Sequence, residues 1–148
     1  MLVSTHGARR LEEAFGLTAG GLALLAIGIA GFVPVSGSSW TVRQGNRVIE
    51  QGHSTTSLFQ FLGTGMAISV IATVVALAVS FAWIAVSHAR ERDAVWAKRW
   101  YILEWVVGVL LVASSFGPYG VFSVLFYPTI AFVAICLVFG ATRHIAPR

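Results

Sequence analysis

Charged residues are scarce in this 148-residue sequence, at 11% of the chain, while hydrophobic residues make up 57%. Soluble domains carry about 25% charged residues, so this composition cannot supply a water-facing shell. Cysteine is almost absent as well: Cys136 is the single one, which excludes a disulfide within the chain and a CxxC redox centre. The shortage of charge therefore excludes an ordinary soluble domain and directs attention to long apolar runs.

Four apolar runs account for most of the chain, and Glu104 is the one charged residue within them. A bilayer core of ~30 Å needs roughly 20 helical residues, so each run predicts a membrane-spanning helix. The first run has no clear small-x-small cleavage pattern, and we expect it to be retained as a span. The predicted fold is an all-α integral membrane protein, a single four-transmembrane-helix bundle. Its approximate spans are 14–35, 58–86, 100–116 and 121–141.

The ten basic residues are distributed unevenly about these runs. Eight precede the first run, lie in the basic 87–99 loop or follow the fourth run, and only Arg43 and Arg47 lie between the first and second. The positive-inside rule assigns the richer side to the cytoplasm. We therefore expect an inner or plasma membrane, both termini cytoplasmic and the 36–57 loop outside. Topology and contact with the lipid bilayer account for the net charge of +4, without a nucleic-acid partner.

The 36–57 loop predicts a small extracytoplasmic β-hairpin between the first and second helices. Gly45-Asn46 is a two-residue turn signal, and this turn would place Val42 opposite Ile49. An isolated hairpin is marginally stable in water, so it needs a partner surface. We expect its contacts, with its own helices or with another protein, to come from Trp40, Arg43, Arg47 and Glu50.

Glu104 is a functional candidate, because a carboxylate inside a membrane span is costly to bury. It lies about one turn beyond Trp100, near the basic side, so it could handle protons or cations, or it could be a structural ion pair. The basic residues within reach in the predicted topology are Arg10, Lys98, Arg99 and Arg143.

Small residues recur at spacings of three and four in the first two runs, which places them on shared helix faces. Such faces let helix backbones approach closely. The glycines expected at helix contacts are Gly16, Gly20 and Gly28 in the first run and Gly65 in the second. Three hydroxyl residues continue the face of the second run, where they could bond to their own helix or line a polar path: Ser69, Thr73 and Ser80.

Pro128 predicts a kink, because it follows the start of the fourth run by several residues and removes a backbone hydrogen bond. The sequence contains no HExxH, Walker or GxSxG motif and no Cys/His ligand cluster. We therefore expect no catalytic residues, no metal ligands and no cofactor. The histidines are all assigned to the tail or to loops: His6, His53, His88 and His144.

These observations favour a non-enzymatic membrane protein that acts by association, as a scaffold or as an accessory subunit of a membrane complex. Its partner would be a second copy or another membrane protein. The alternative is a small oligomeric transporter or channel that uses Glu104 and the Ser69/Thr73/Ser80 face. An enzyme acting on lipid substrates is disfavoured, because no nucleophile or metal set is visible.

Overall fold

A computed structural model of the chain describes residues 5–34, 36–116 and 124–145. This part of the chain is mostly helical, with one two-stranded antiparallel sheet. The elements in chain order are α1 (Thr5–Phe32), β1 (Ser36–Gln44), β2 (Arg47–Thr56), α2 (Leu58–Leu62), α3 (Thr64–Arg90), α4 (Ala94–Ser115) and α5 (Tyr127–Ile145).

Among the described residues, three helical segments are long and apolar enough to cross a membrane: α1, α3, and α5 together with the short turn that precedes it from Val124. Their length and composition indicate a membrane protein. The remaining long helix, α4, has 22 residues but also carries Lys98, Arg99 and Glu104. The structure thus bears out the predominantly helical fold, the small hairpin and three of the expected apolar spans.

The four long helices run in alternating directions, with α1 against α3 and α5, and α4 against the same two helices. One end of this group contains the starts of α1 and α4 and the last turns of α3 and α5. We call it the basic end, because it carries Arg9, Arg90, Lys98 and Arg143. The opposite end, from which β1 and β2 project, is the hairpin end.

Small side chains fill the contact between α1 and α3, whereas large apolar side chains point outward. Ala19 and Ala23 of α1 and Ala78 and Ala85 of α3 are fully buried in one cluster. By contrast, the exposed fraction of Trp83 is 71%. This arrangement is typical of helices that pack in a bilayer, where close backbone approach stabilises the contact and lipid covers the larger residues.

The predicted single helix over 58–86 is instead two helices, α2 and α3, because Gly63 interrupts it with a φ of 79°. A φ in this region is readily adopted only by glycine. Before the break, the Gln60 side chain accepts a hydrogen bond from the Ser57 backbone N–H at 3.0 Å and caps α2. Beyond the predicted boundary, α3 continues to Arg90, so that His88 lies in its last turn rather than in a loop.

The hairpin has the predicted turn but not the predicted register. Gln44 pairs with Arg47 across Gly45, whose φ is 62°. The register then shifts between Val42 and Arg43, so Val42 faces Glu50 and not Ile49. A bulge of this kind adds one residue to β2 and shifts every later pair of residues. The alternation of residues in the sequence does not reveal such a bulge.

Pro128 is the second residue of α5, and a short 3₁₀ turn over 124–126 precedes it. The predicted kink is therefore wrong. Proline is readily accommodated in the first turn of a helix, because the backbone N–H that it lacks would have no partner within the helix there. The tight turn expected over 117–120 lies outside the described residues.

We expect Gly16→Ala to lower the free energy of unfolding by about 1–3 kcal/mol, because the new Cβ would overlap Ala85 of α3. The measurement is SDS-induced unfolding in mixed micelles, followed by tryptophan fluorescence. Gly21→Ala is the matched control on the same helix, because a Cβ at Gly21 meets nothing within 4 Å. Equal stability of the two variants would contradict the observed α1–α3 packing.

Candidate functional site

A group of polar side chains with a buried centre lies at the basic end, and each of the four long helices contributes to it. We call it the polar cluster. Glu12, His88 and Glu104, from α1, α3 and α4, have no solvent-exposed surface. Buried ionisable side chains inside a membrane helix are costly and mark functional candidates. The members of the cluster are Glu12, His88, Glu104, Cys136, Arg143 and His144.

Local packing brings the two carboxylates into the cluster. On α1, Glu12 lies one turn before Gly16, the point at which α1 and α3 approach most tightly. On α4, Asp93 caps the helix by accepting hydrogen bonds from the backbone N–H groups of Val95 (2.8 Å) and Trp96 (3.2 Å). This cap fixes where α4 begins and therefore the direction in which Glu104 points.

A glycine allows α5 to approach Glu104. A Cβ at Gly140 would lie 3.3 Å from the Tyr101 ring, closer than most Cβ contacts, and 3.5 Å from Glu104 Oε2, an ordinary van der Waals contact. One turn further along α5, the His144 ring lies beside Tyr101, with ring centroids 4.7 Å apart. Tyr101 thus fills the space between α4 and the last turn of α5.

At the centre of the cluster, one imidazole nitrogen faces two carboxylates. His88 Nδ1 lies 2.8 Å from Glu104 Oε2 and also contacts Glu12 Oε1 directly. A single N–H can donate well to only one of these oxygens. The contact with Glu12 does not have hydrogen-bond geometry, and Glu12 Oε1 has no hydrogen-bond partner within the described residues.

Each of the three central side chains is also held from outside by α5. Arg143 donates from Nη1 to Glu12 Oε2 at 2.8 Å and to the His88 carbonyl oxygen at 2.9 Å. The Cys136 thiol donates to Glu104 Oε1 at 3.2 Å. His88 Nε2 lies 3.2 Å from His144 Nε2, so one of these two nitrogens donates to the other. These bonds fix the orientation of the central atoms.

If both glutamates of the cluster are ionised, its charges balance only when the centre holds one further positive charge. Glu12 and Glu104 bring two negative charges as carboxylates, and Arg143 brings one positive charge. In a low-dielectric interior an uncompensated carboxylate is strongly destabilised. A proton on His88 or a bound cation would supply the missing charge. The arrangement can therefore hold a proton or a metal ion between helices.

Glu104 is in the predicted region, but its partner is not one of the basic residues proposed for it. The structure pairs it with His88, while Arg143 pairs with Glu12. Arg99 instead lies over the Trp96 ring, 4.9 Å from its centroid. The expectation of a direct Glu104–basic pair is therefore wrong, because Glu104 points into the helix group.

Sequence reasoning misses Glu12 and His88 as residues of the polar cluster, and the expectation of no metal ligands stays a prediction. In the predicted topology Glu12 flanks the first run and His88 lies in a loop. The two residues stand 76 positions apart, and His88 and Glu104 stand 16 apart, so no local motif connects them. One signal is present in the sequence: Glu12 lies four residues before Gly16 and thus on the helix face that the glycines share.

The hydroxyl stripe is on the outside of the helix group and does not join Glu104. Ser69, Thr73 and Ser80 are all exposed. Ser69 donates to the Gly65 carbonyl oxygen at 3.2 Å, and Thr73 donates to the Ser69 carbonyl oxygen at 2.8 Å. The hydroxyls of Ser69 and Thr73 thus bond to their own helix, as serine and threonine commonly do, and all three residues lie on the outer face of α3.

The four glycines expected at helix contacts fall into two pairs. Gly16 and Gly20 pack directly against α3, where a Cβ at Gly20 would lie 3.0 Å from Ala82. Gly28 and Gly65 face open space, because a methyl group added at either would meet nothing within 4 Å. For these two the predicted contact within the chain is wrong.

The four outer-loop residues that the sequence predicts to make contacts are exposed. They lie in the hairpin and therefore do not belong to the polar cluster at the basic end. They are Trp40, Arg43, Arg47 and Glu50.

Comparison of the chain with protein-family models, with curated proteins and with solved structures finds no match. The functional proposals below therefore rest on the geometry of the polar cluster and of the exposed surfaces.

We expect Arg143→Met to lower the free energy of unfolding by about 3–5 kcal/mol, because it leaves the buried Glu12 carboxylate without its cationic partner. Arg90→Met is the matched control at the same end. Its partner is Glu13, but the Arg90 side chain is 70% exposed, so the loss should be about 1 kcal/mol or less. SDS unfolding of both variants checks the difference, and equal losses would contradict the buried position of the Glu12–Arg143 pair.

Proposed function

We propose that the chain is a four-helix transmembrane protein that acts by association, as a scaffold or accessory subunit. In this proposal α4 is the fourth span, the basic end lies in the cytoplasm and the hairpin lies outside. The uneven distribution of basic residues supports this orientation. The outward-facing stripe of small residues on α3 is the observation that carries the proposal.

This stripe runs along one face of α3 at spacings of three and four residues. Its members are all exposed, while buried residues such as Val74 and Ala78 face the other helices. Small residues on the outside of a membrane helix leave a shallow groove into which a second helix can pack closely. The hydroxyls of Ser69 and Thr73 add little polarity to the groove, because they bond within α3. The stripe consists of Gly65, Ser69, Thr73, Ala76 and Ser80.

The hairpin provides a second surface suited to association. Val42, Val48 and Ile49 remain about half exposed, at 47%, 50% and 59% of their surface. Trp40 differs from these three residues because its ring lies over Gly52 on the opposite strand, where a Cβ would overlap the ring. A two-stranded hairpin with exposed apolar side chains gains stability from a partner surface.

We expect Ala76→Leu combined with Ser69→Leu to disrupt association, because leucine fills the groove on α3 and keeps a second helix away. The measurement is the subunit count in lipid vesicles by single-molecule photobleaching, together with mass spectrometry of proteins that co-purify in mild detergent. Val109→Leu on α4 is the control, because Val109 is an exposed apolar residue away from the stripe. A monomeric wild-type chain without a co-purifying partner would overturn the proposal.

A small oligomeric transporter or channel is the second candidate, and the polar cluster favours it. Ionisable side chains from several membrane helices are a common feature of proton and ion pathways. This candidate now depends on Glu104 with Glu12 and His88, without the outward hydroxyl stripe. We expect Glu104→Gln to abolish any proton or cation flux into liposomes, while Glu13→Gln leaves it unchanged. Absence of flux with the wild-type chain would remove this candidate.

A further inference from the structure

The three central side chains of the polar cluster converge as metal ligands do. One potential ligand atom from each of Glu12, His88 and Glu104 lies within 4.8 Å of those of the other two residues. All three side chains are fully buried, and they come from three different helices. Metal sites in helix bundles are built in this way, from inward-pointing side chains on facing helices.

The hydrogen bonds at the centre leave one oxygen unsatisfied. Glu12 Oε1 is buried, points at the centre and has no hydrogen-bond donor within the described residues. A buried carboxylate oxygen without a donor is costly. A cation at the centre would bind this oxygen together with Glu104 Oε2, and would replace the short contact between His88 and Glu12.

The outer hydrogen bonds have the pattern that supports metal ligands. Ligating carboxylates and histidines use their other polar atom to bond a neighbouring group, which fixes their orientation. Here Arg143 bonds the outer oxygen of Glu12, and Cys136 bonds that of Glu104. His88 can donate from Nε2 to His144, which leaves the Nδ1 lone pair free for a metal. All three inner atoms are thereby available together.

We propose that Glu12, His88 and Glu104 bind one divalent first-row transition-metal ion. Imidazole and carboxylate together suit ions such as Zn²⁺, Fe²⁺ and Mn²⁺. With both glutamates ionised, Arg143 outside the ligand set and a divalent ion at the centre, the cluster carries a net charge of +1. Ligand atoms ~2.1 Å from a tetrahedral ion lie ~3.4 Å apart, so the 2.8 Å between His88 Nδ1 and Glu104 Oε2 must widen by less than 1 Å.

A cavity at the basic end borders the outer part of the polar cluster. Its volume is about 520 Å³, and its lining includes Arg143 and His144 of the cluster together with Arg9, Glu91, Arg92 and Asp93. The three central side chains do not line this cavity, and His144 lies between it and His88. An ion that enters from the basic end would therefore have to pass His144 to reach the centre of the cluster.

The test is Co²⁺ titration of the full chain in detergent, purified without a histidine tag and stripped with EDTA. Co²⁺ reports its own coordination through visible absorption bands. We expect one Co²⁺ per chain, displaced by Zn²⁺, and a higher apparent thermal midpoint when the ion is bound. His88→Gln and Glu104→Gln should each abolish stoichiometric binding, and Glu13→Gln, beside Glu12 on α1, should not.

A variant that removes one of the outer hydrogen bonds distinguishes residues that bind the ion from residues that only orient its ligands. We expect His144→Gln to weaken Co²⁺ affinity about 10–100-fold with the stoichiometry and absorption bands retained, because His144 orients His88 without binding the ion. A folded wild-type chain that binds no Co²⁺ would overturn the proposal and leave His88 as a protonated bridge. So would binding that survives His88→Gln and Glu104→Gln. The result is independent of the association proposal, which the α3 variants test.

Discussion

The close approach of α1 to α3 is the contact on which the other features of the molecule depend. Gly16 and Gly20 have no side chain to separate the helices, so α1 meets the alanine-lined face of α3. The two helices are antiparallel, and therefore one turn beyond the contact of Gly16 with Ala85, Glu12 meets His88. This apolar contact between α1 and α3, the seam, therefore determines which polar side chains of the two helices meet in the cluster. Such a role is expected in a membrane, where close packing rather than burial from water holds helices together.

The last turns of α5 complete this arrangement from the other side. Three residues of α5 each contact a different one of the three central side chains: Cys136 contacts Glu104, Arg143 contacts Glu12 and His144 contacts His88. Their spacing along α5 follows the helix repeat approximately. Their combined effect is to hold both carboxylates with one oxygen inward and one outward. Four helices then share one network, and any relative movement of α1, α3 or α4 would separate charged groups that are costly to leave unpaired in the interior.

The sequence predicts the elements of this fold better than it predicts their contacts. Long apolar runs identify the helices, and Gly45-Asn46 identifies the hairpin turn, because these signals are local. The bulge after Val42 and the break at Gly63 depend on how the strands and helices pack, and the pattern of residues does not contain them. Glu104 is visible as a lone charge in an apolar run. Its partner His88 is not, because a histidine near the end of a run resembles any flanking polar residue.

The two faces of α3 connect the proposals for association and for metal binding. The inward face carries His88 and the alanines of the seam, and the outward face carries the small-residue stripe. A helix packed into that stripe would press on the backbone opposite the seam, and it would restrain α3 against the movements that loosen His88 from Glu12. Because α3 is a rigid element shared by both surfaces, coupling between them needs no additional pathway. If a partner restrains α3 in this way, its binding and the occupancy of the cluster must change each other's affinity by the same factor.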